Sequence, residues 1–501
     1  MAHYKNRDPN QIEFIEINYK EQLIPGSFEH TLNYLIDSKI DMSAFESRYK
    51  NDDTGAPAWN PRTLLKIILY AYSKGIIWSR RIEDLCRTNI IMKALTADSI
   101  PHFTVIADFI SSMKDEIKSV FSQVIIICAD LGLIGKTMFA VDGCKLPSNA
   151  SKEWSGKFKD LKKKQQKLEA LAENLIEKNQ ENDKDISTHN TSDELNRHLS
   201  NINKKVDKIS TFLKDSEPKI GPRGKEVQSN ITDNESAKIK SSNGVIQGYN
   251  GIAVADDKNQ VIIAAEAFGR GQEQRFFEPI LEQTEENLKS ITKKKKPLRN
   301  TTILADTGYF CEENLKAAAD KKIEAIIPDN HFRQRMESNN ERGRYIGREY
   351  KFTQADFTYN KKGNFYICPN DKKLTFIGHH KLIGNSGNKY QSKTVDCRDC
   401  PFREKCFNRN VENAKRRTLY IVDSKGKRNY SEEMRKKIDK PEIRDLYSKR
   451  MGIIEPVFAN ITSCKKMNRF TLRGKDKVNI QWLLFCIVHN LGKINNAMQP
   501  I

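Results

Sequence analysis

Residues 244–268 read GVIQGYNGIAVADDKNQVIIAAEAF. Two apolar runs rich in Val, Ile and Ala flank Asp256-Asp257-Lys258-Asn259, a polar turn cluster, so the stretch predicts a β-hairpin. On its C-terminal side the pattern predicts a helix over 275–292, a strand in TTILADTGYF (301–310), a helix over 312–322 and a strand in EAIIPD (324–329). On its N-terminal side Met138-Phe-Ala-Val141 supplies an earlier strand. The resulting order, β-β-β-α-β-α-β, predicts a mixed α/β sheet.

Two aspartates follow apolar runs of that sheet, Asp142 in MFAVDGCKL and Asp306 in TTILADTGYF. If the two strands are neighbours, both carboxylates emerge side by side at the sheet edge. A third acid, Glu455, stands in YSKRMGIIEPVFAN (447–460), an otherwise basic and apolar segment that reads as helix. Its side chain is long enough to reach a metal from the flank. Ordinary carboxylate pKa values near 4 keep all three ionised at neutral pH. Three such groups suit hard divalent cations and not a covalent nucleophile. They could hold two Mg²⁺ (or Mn²⁺) ions about 3.5–4 Å apart around a phosphate, with no histidine base required. The residues also admit plainer readings. Asp142-Gly143 and Asp306-Thr-Gly308 are turn combinations, and Glu455 could cap a helix or pair with Arg450.

Charge points to a polyanionic partner. The 501 residues hold 85 Lys and Arg against 65 Asp and Glu, a formal +20. Lys415 to Lys475 alone carries 18 basic and 7 acidic residues, and Lys293 to Lys296 is a second cluster. Such fields attract nucleic acid and release phosphate counterions on binding. At 38% hydrophobic residues the chain can build real cores. The N-terminus is polar and unlike a secretory signal, and no apolar run reaches the roughly 18 residues of a membrane span. A soluble cytoplasmic protein, associated with the nucleoid and not with a membrane, is the expectation.

Residues 1–135 read as helical, with apolar positions at helical spacing over Arg62 to Ile77. Arg80 and Arg81 open a further helix in the manner of a nucleic-acid-contacting module, although a plain bundle has the same pattern. In 151–215, Leu161, Leu168 and Leu175 recur every seven residues, and Leu195, Leu199, Ile202, Val206, Ile209 and Leu213 follow a/d spacing. This predicts an antiparallel helical hairpin inserted into another domain. Within 345–425 lie Cys368, Cys397, Cys400 and Cys406. The two-residue gap between Cys397 and Cys400 lets a tight turn aim both thiolates at one metal, and four thiolates make a closed, structural Zn²⁺ shell. Redox chemistry and unligated thiols in a small subdomain are the alternatives. The other six cysteines read as core residues.

Several blocks in order resemble the DDE transposases of bacterial insertion sequences, in the branch with a helical N-terminal domain and an interrupted RNase H-like catalytic domain. PRTLLKIILYAYSKGIIWSRRIEDLCRTNIIMKALTA resembles the helical domain, VDGCKLPSNAS the first-aspartate block with Lys145 and Asn149 in place, and NITDNESAKIKSSNGVIQGYNGIAVAD the approach to the hairpin. ILADTGYFCEENL resembles the second-aspartate block, EPVFANI the glutamate block, and RFTLRGKDKVNIQWLLFCIVHNLGKI the closing helix. The resemblance implies an all-α DNA-binding domain at 1–135 and an RNase H-like α/β catalytic domain at 136–501, interrupted by the hairpin (151–215) and the Cys-rich insertion (345–425). It implies Asp142, Asp306 and Glu455 as the metal-binding catalytic triad, with Tyr447 and Arg450 handling DNA phosphates. Where the family often has lysine, seven positions after the glutamate, this chain has Thr462; Lys465 and Lys466 follow as candidate DNA contacts. The resemblance also implies a zinc-binding insertion, terminal inverted repeats and target DNA as partners, and a homodimer on DNA. The expected activity is cleavage at element ends and strand transfer. An RNase H-like nuclease without strand transfer, or a catalytically silent DNA-binding descendant, is the alternative.

Overall fold

A computed structural model describes residues 16–49, 57–182, 189–221, 224–241, 244–335, 351–382, 385–407, 411, 413–422 and 428–499. The polar N-terminus, residues 183–188 of the hairpin bridge, the side chain of Leu195 and the start of the Cys-rich stretch lie outside them. The chain divides into two compact units, Met1–Ile327 with Pro441–Ile501, and Pro328–Lys440.

The first unit opens with helices α1 (Phe28–Ser38), α2 (Ser43–Glu46), α3 (Pro61–Ser73), α4 (Ser79–Thr88), α5 (Ile90–Thr96), α6 (Phe103–Ser112) and α7 (Lys114–Asp130). Local chemistry sets their starts. The Ser27 side chain accepts from the His30 amide ahead of α1, and that of Asn60 from Arg62 ahead of α3, where Pro61 takes the first turn. Among the described residues this stretch contains no strand.

The sheet then begins with β1 (Met138–Pro147), followed by the short β2 (Ser155–Gly156) and the long helices α8 (Phe158–Asn182) and α9 (His189–Asp215). Phe158 meets Phe212, and Gln165 donates to Ser210, so α8 and α9 run antiparallel. Leu161, Ile202 and Ile209 are buried at the heptad positions. Next come β3 (Ser229–Asn230), β4 (Ala237–Ser241), β5 (Gly244–Asp256), β6 (Ile262–Phe268), α10 (Phe277–Ile291), β7 (Thr302–Ala305), α11 (Glu312–Asp320) and β8 (Glu324–Ile326).

Main-sheet order is β4-β5-β1-β7-β8, with β6 also on β5. The β5–β6 hairpin turns where the sequence placed it. β1 is antiparallel to β5, with Asp142 opposite Ala253, and parallel to β7, with Val141 opposite Ala305. β4 went unread because AKIKS is short and its lysines mask the one buried residue, Ile239. Asp142 does not end its strand, since β1 runs on to Pro147. That excludes a turn at Asp142-Gly143.

The second unit holds β9 (Thr358–Asn360), β10 (Phe365–Ile367), β11 (Lys373–Leu382), β12 (Asn385–Ser392), α12 (Thr394–Arg398), α13 (Arg403–Cys406), β13 (Thr418–Val422) and α14 (Tyr430–Ile438). Its antiparallel sheet is ordered β13-β12-β11-β10-β9. Phe357, Tyr366, Leu374, Tyr390, Cys397, Cys406, Phe407 and Leu419 form its core.

The chain closes in the first unit with α15 (Pro441–Ala459) and α16 (Lys475–Met498). α16 is buried almost all round, as its apolar run from Val478 to Leu491 demands. Its amides finish the sheet. Asn490 pairs with both the N–H and C=O of Ile262, and Asn479 with both of Ala267. The outer edge of β6 is thereby satisfied inside the core. In α15, Pro456 cannot donate to the Gly452 carbonyl, and Gln260 donates to that carbonyl instead, at 3.0 Å. Among the described residues no helix is long and apolar enough to cross a membrane.

Candidate active site

The parallel register of β1 and β7 carries Asp142 and Asp306 past their last paired residues as neighbours. Arg450, on the inner face of α15, lies on both. Its guanidinium is 3.0 Å from the Asp142 carboxylate and 3.4 Å from that of Asp306. Its Nε donates to the Tyr447 hydroxyl at 3.4 Å. The Arg450 side chain is only 9% exposed, so this is a buried fork between two acids. Burial pushes the Asp142 carboxyl up to about 6; Arg450 and the Gly143 amide oppose that push, while Asp306 and Glu273 add to it. Arg450 is buried as well, yet its acidic neighbours hold its pKa above the ordinary arginine value.

Glu455 takes another direction. On α15 the buried residues are Arg450, Ile453, Ile454 and Val457, and the helical phase leaves Glu455 exposed. The open cavity beside the aspartates, about 490 Å³, is lined by Asp142, Gly143, Lys145, Lys240, Ser241, Glu273 and Asp306. The third carboxylate in it is therefore Glu273. Among the described residues no group of three or more acids, cysteines or histidines is arranged to hold a metal ion. Two of the expected acids are brought together, sharing a guanidinium as their cation, and Glu455 is not brought to them.

Glu273 and Asn250 were not singled out from the sequence. Asn250 carried a usable signal, a polar residue between apolar runs of a central strand and fully buried. Glu273, in GQEQRFF, carried none. Tyr309, in the DTGY segment, is fully buried against Phe277, and its hydroxyl has no hydrogen-bond partner among the described residues. Burial, with Glu273, Asp142 and Asp306 nearby, raises its pKa far above the ordinary phenol value.

The remaining candidates separate. Arg80 is exposed and stacks over Phe103 at 4.6 Å, while Arg81 pairs with Asp84 at 3.5 Å. Lys466 is exposed, but Lys465 turns inward to Asn460, and burial lowers its pKa. The hydroxyl of Thr462 is bonded to the Phe458 carbonyl and stands in for no lysine. The basic stretch Lys415–Lys475 crosses from the second unit into the first.

In the second unit Cys397 and Cys406 are buried, with Cys368 packed against the same core. Burial pushes the Cys406 thiol up to about 11, and Cys397, Cys400 and Cys368 all add to that shift. The Asn370 amide approaches Cys400 Sγ at 3.6 Å, and the Lys372 N–H approaches Cys368 Sγ at 3.4 Å. The thiols gather and two receive N–H donors, but they do not form a closed ligand set. All ten cysteines are free; of the six read as core residues, Cys86, Cys128 and Cys486 are buried, Cys144 and Cys311 are partly exposed, and Cys464 is exposed.

The fold thus sets two carboxylates side by side on neighbouring parallel strands of a chain with a formal charge of +20, features compatible with a protein that acts on phosphodiesters. Comparison with known families names the kind: residues 367–495 match a transposase DDE domain, and residues 18–112 match a transposase domain, DUF772. Two transposase domains indicate a transposase, consistent with the DDE transposase of an insertion sequence that the motifs imply. Tyr447, Arg450 and Glu455 fall inside the first match, and Asp142 and Asp306 fall between the two. No curated protein and no solved structure matches the chain.

Proposed function

We propose that this transposase cleaves DNA at the ends of its element and joins the freed ends to target DNA. Asp142 and Asp306 act at the centre, and Glu455 is drawn in from α15. The observation that carries the reading is the pair of aspartates on adjacent parallel strands, already sharing one cationic group. The sheet order β6-β5-β1-β7-β8, antiparallel in its first three strands and parallel thereafter, supports an RNase H-like reading of the domain.

Each chemical step is a displacement at phosphorus. In cleavage, water's oxygen bonds to phosphorus, the P–O3′ bond breaks, and the 3′ oxygen leaves with a proton. In joining, the freed 3′-hydroxyl replaces water and a target-strand 3′ oxygen leaves. Asp142 and Asp306 would hold a divalent cation, Mg²⁺ or Mn²⁺, which supplies charge stabilisation of the phosphoryl oxygens and a more acidic attacking hydroxyl. The half-site fits: a guanidinium spans the same two carboxylates. Arg450 neutralises both acids without DNA, and on substrate its planar fork is suited to a phosphate. The thiols of Cys368, Cys397, Cys400 and Cys406 are proposed to hold a structural Zn²⁺ in the second unit. Arg80, Arg81 and Lys466 are proposed to contact the DNA backbone, with two copies of the chain holding two ends.

The test is cleavage of a duplex carrying the DNA that flanks the coding region, with Mg²⁺ present, by wild type, Asp142→Asn and Asp306→Asn. Wild type should give nicked and joined products, and both variants should lose them by at least about a thousandfold, as expected when a metal-binding carboxylate is removed. Cleavage without joined products would favour the nuclease alternative. Equal activity in all three proteins would end the proposal.

A further inference from the structure

We propose that Lys145, held in place by Glu273 and Asn250, is the cation that contacts the scissile phosphate in the aspartate cavity. The proposal rests on the transposase reading and adds to it a substrate-contacting residue. Three observations converge on it. The cavity presents Asp142, Asp306 and Glu273, and of the two lysines on its lining, Lys145 and the exposed Lys240, Lys145 is the one seen ion-paired to a lining carboxylate. Thr462, at the position where a lysine is expected, spends its hydroxyl on a backbone carbonyl. Lys145 lines the cavity, with its side chain one-third exposed.

Lys145 is also anchored, unlike a lysine that merely solvates a surface. Lys145 and Asn250 are direct cross-strand partners on β1 and β5, so they share a face of the sheet. Gly143, two residues earlier on that face, leaves room for the Asn250 amide; a Cβ there would lie 2.5 Å from Asn250 Oδ1. Asn250 Nδ2 donates to Glu273 Oε1 at 3.1 Å, and Lys145 Nζ sits 3.3 Å from that same oxygen. The other Glu273 oxygen packs where a Cβ on Gly308 would be. The glycines that follow the two aspartates thus make space for a Lys145–Glu273–Asn250 chain. An ammonium carries three donors. With one spent on Glu273, two remain for the non-bridging oxygens of a phosphate, where charge builds as the displacement proceeds. Lys145 is a catalytic residue in this scheme. Glu273 is a positioning residue that fixes the ammonium and keeps it from Asp142.

The experiment is steady-state cleavage of the flanking-DNA duplex with Mg²⁺ by wild type, Asp142→Asn, Lys145→Ala, Lys145→Arg, Glu273→Gln and the Lys145→Ala/Glu273→Gln double variant. Thermal unfolding is measured on each. Lys145→Ala should lower kcat on the order of 100-fold with little change in KM, as removal of one transition-state donor does. Lys145→Arg should recover part of the loss. Glu273→Gln should lose less than Lys145→Ala, and the double variant no more. If Lys145→Ala is poorly folded, the kcat of Lys145→Arg and Glu273→Gln decides, since both keep the side-chain volume. Wild-type kcat in Lys145→Ala, or losses that multiply in the double variant, would overturn the assignment while the transposase reading stands. A wild type that cuts no better than Asp142→Asn would overturn both.

Discussion

Arg450 shows how one residue sets the state of the site. Two partly buried carboxylates side by side repel each other; burial is the main cause of the raised Asp142 pKa, and Asp306 adds to it. The guanidinium removes that repulsion while the protein is free of DNA. Arg450→Gln should therefore destabilise the metal-free protein by about 3 kcal/mol, the cost of breaking a buried ion pair from one side. It should also enlarge the rise in Tm that Mn²⁺ produces, because the cation no longer competes with the arginine. A smaller Mn²⁺-induced shift in Arg450→Gln than in wild type would show that the guanidinium assists metal binding. At Gly143 the expectation is different. Gly143→Ala should displace Asn250 from Glu273 and lower cleavage, with a stability cost of about 1–3 kcal/mol, typical of overpacking. Wild-type activity in that variant would mean the amide chain is dispensable.

At the scale of elements, α16 does the work that a further strand would do for the sheet. Asn490 is fully buried and closes both backbone groups of Ile262. Asn490→Ala would leave those groups unpaired in the core, at an expected cost of about 2 kcal/mol read from urea unfolding. Asn479→Ala lies at a partly buried position that water can reach, so it should cost less. In the second unit the thiols give a separate prediction. Cys400→Ser should lower bound zinc and Tm together, because a closed zinc shell contributes folding energy. Unchanged zinc content would refute the four-cysteine site.

Across the whole molecule, acid should act through the core before it acts through the surface. His489 is buried with Nε2 at 2.9 Å from the Gln260 carbonyl, and burial lowers its pKa from 6.5 to about 3. A folded-state pKa below the unfolded one means the unfolded chain binds the extra proton. The stability contributed is fully present above pH 6.5 and is lost progressively as pH falls toward 3. Urea unfolding at pH 7 and pH 5 should show it, with a weaker pH dependence in His489→Gln. The same dependence in both proteins would assign the effect to other groups.

Periodicity and turn chemistry, which are local, were enough to read the hairpin around Asp256, the strand before Asp306, the paired heptads of α8 and α9, and the helical N-terminus. They also made Asp142 and Asp306 visible, since an acid at the end of an apolar run stands out against its neighbours. Where those acids meet, and what meets them, depends on which strands pair and on the phase of a helix more than a hundred residues away. The parallel pairing of β1 with β7 set the aspartates side by side. The phase of α15 turned Arg450 inward and Glu455 outward. Glu273 and Asn250 reach the site through packing on two glycines, a contact that no spacing along the chain encodes. Side-chain identity and local pattern reside in the chain itself, whereas the facing of buried charges is fixed only when distant elements close on one another.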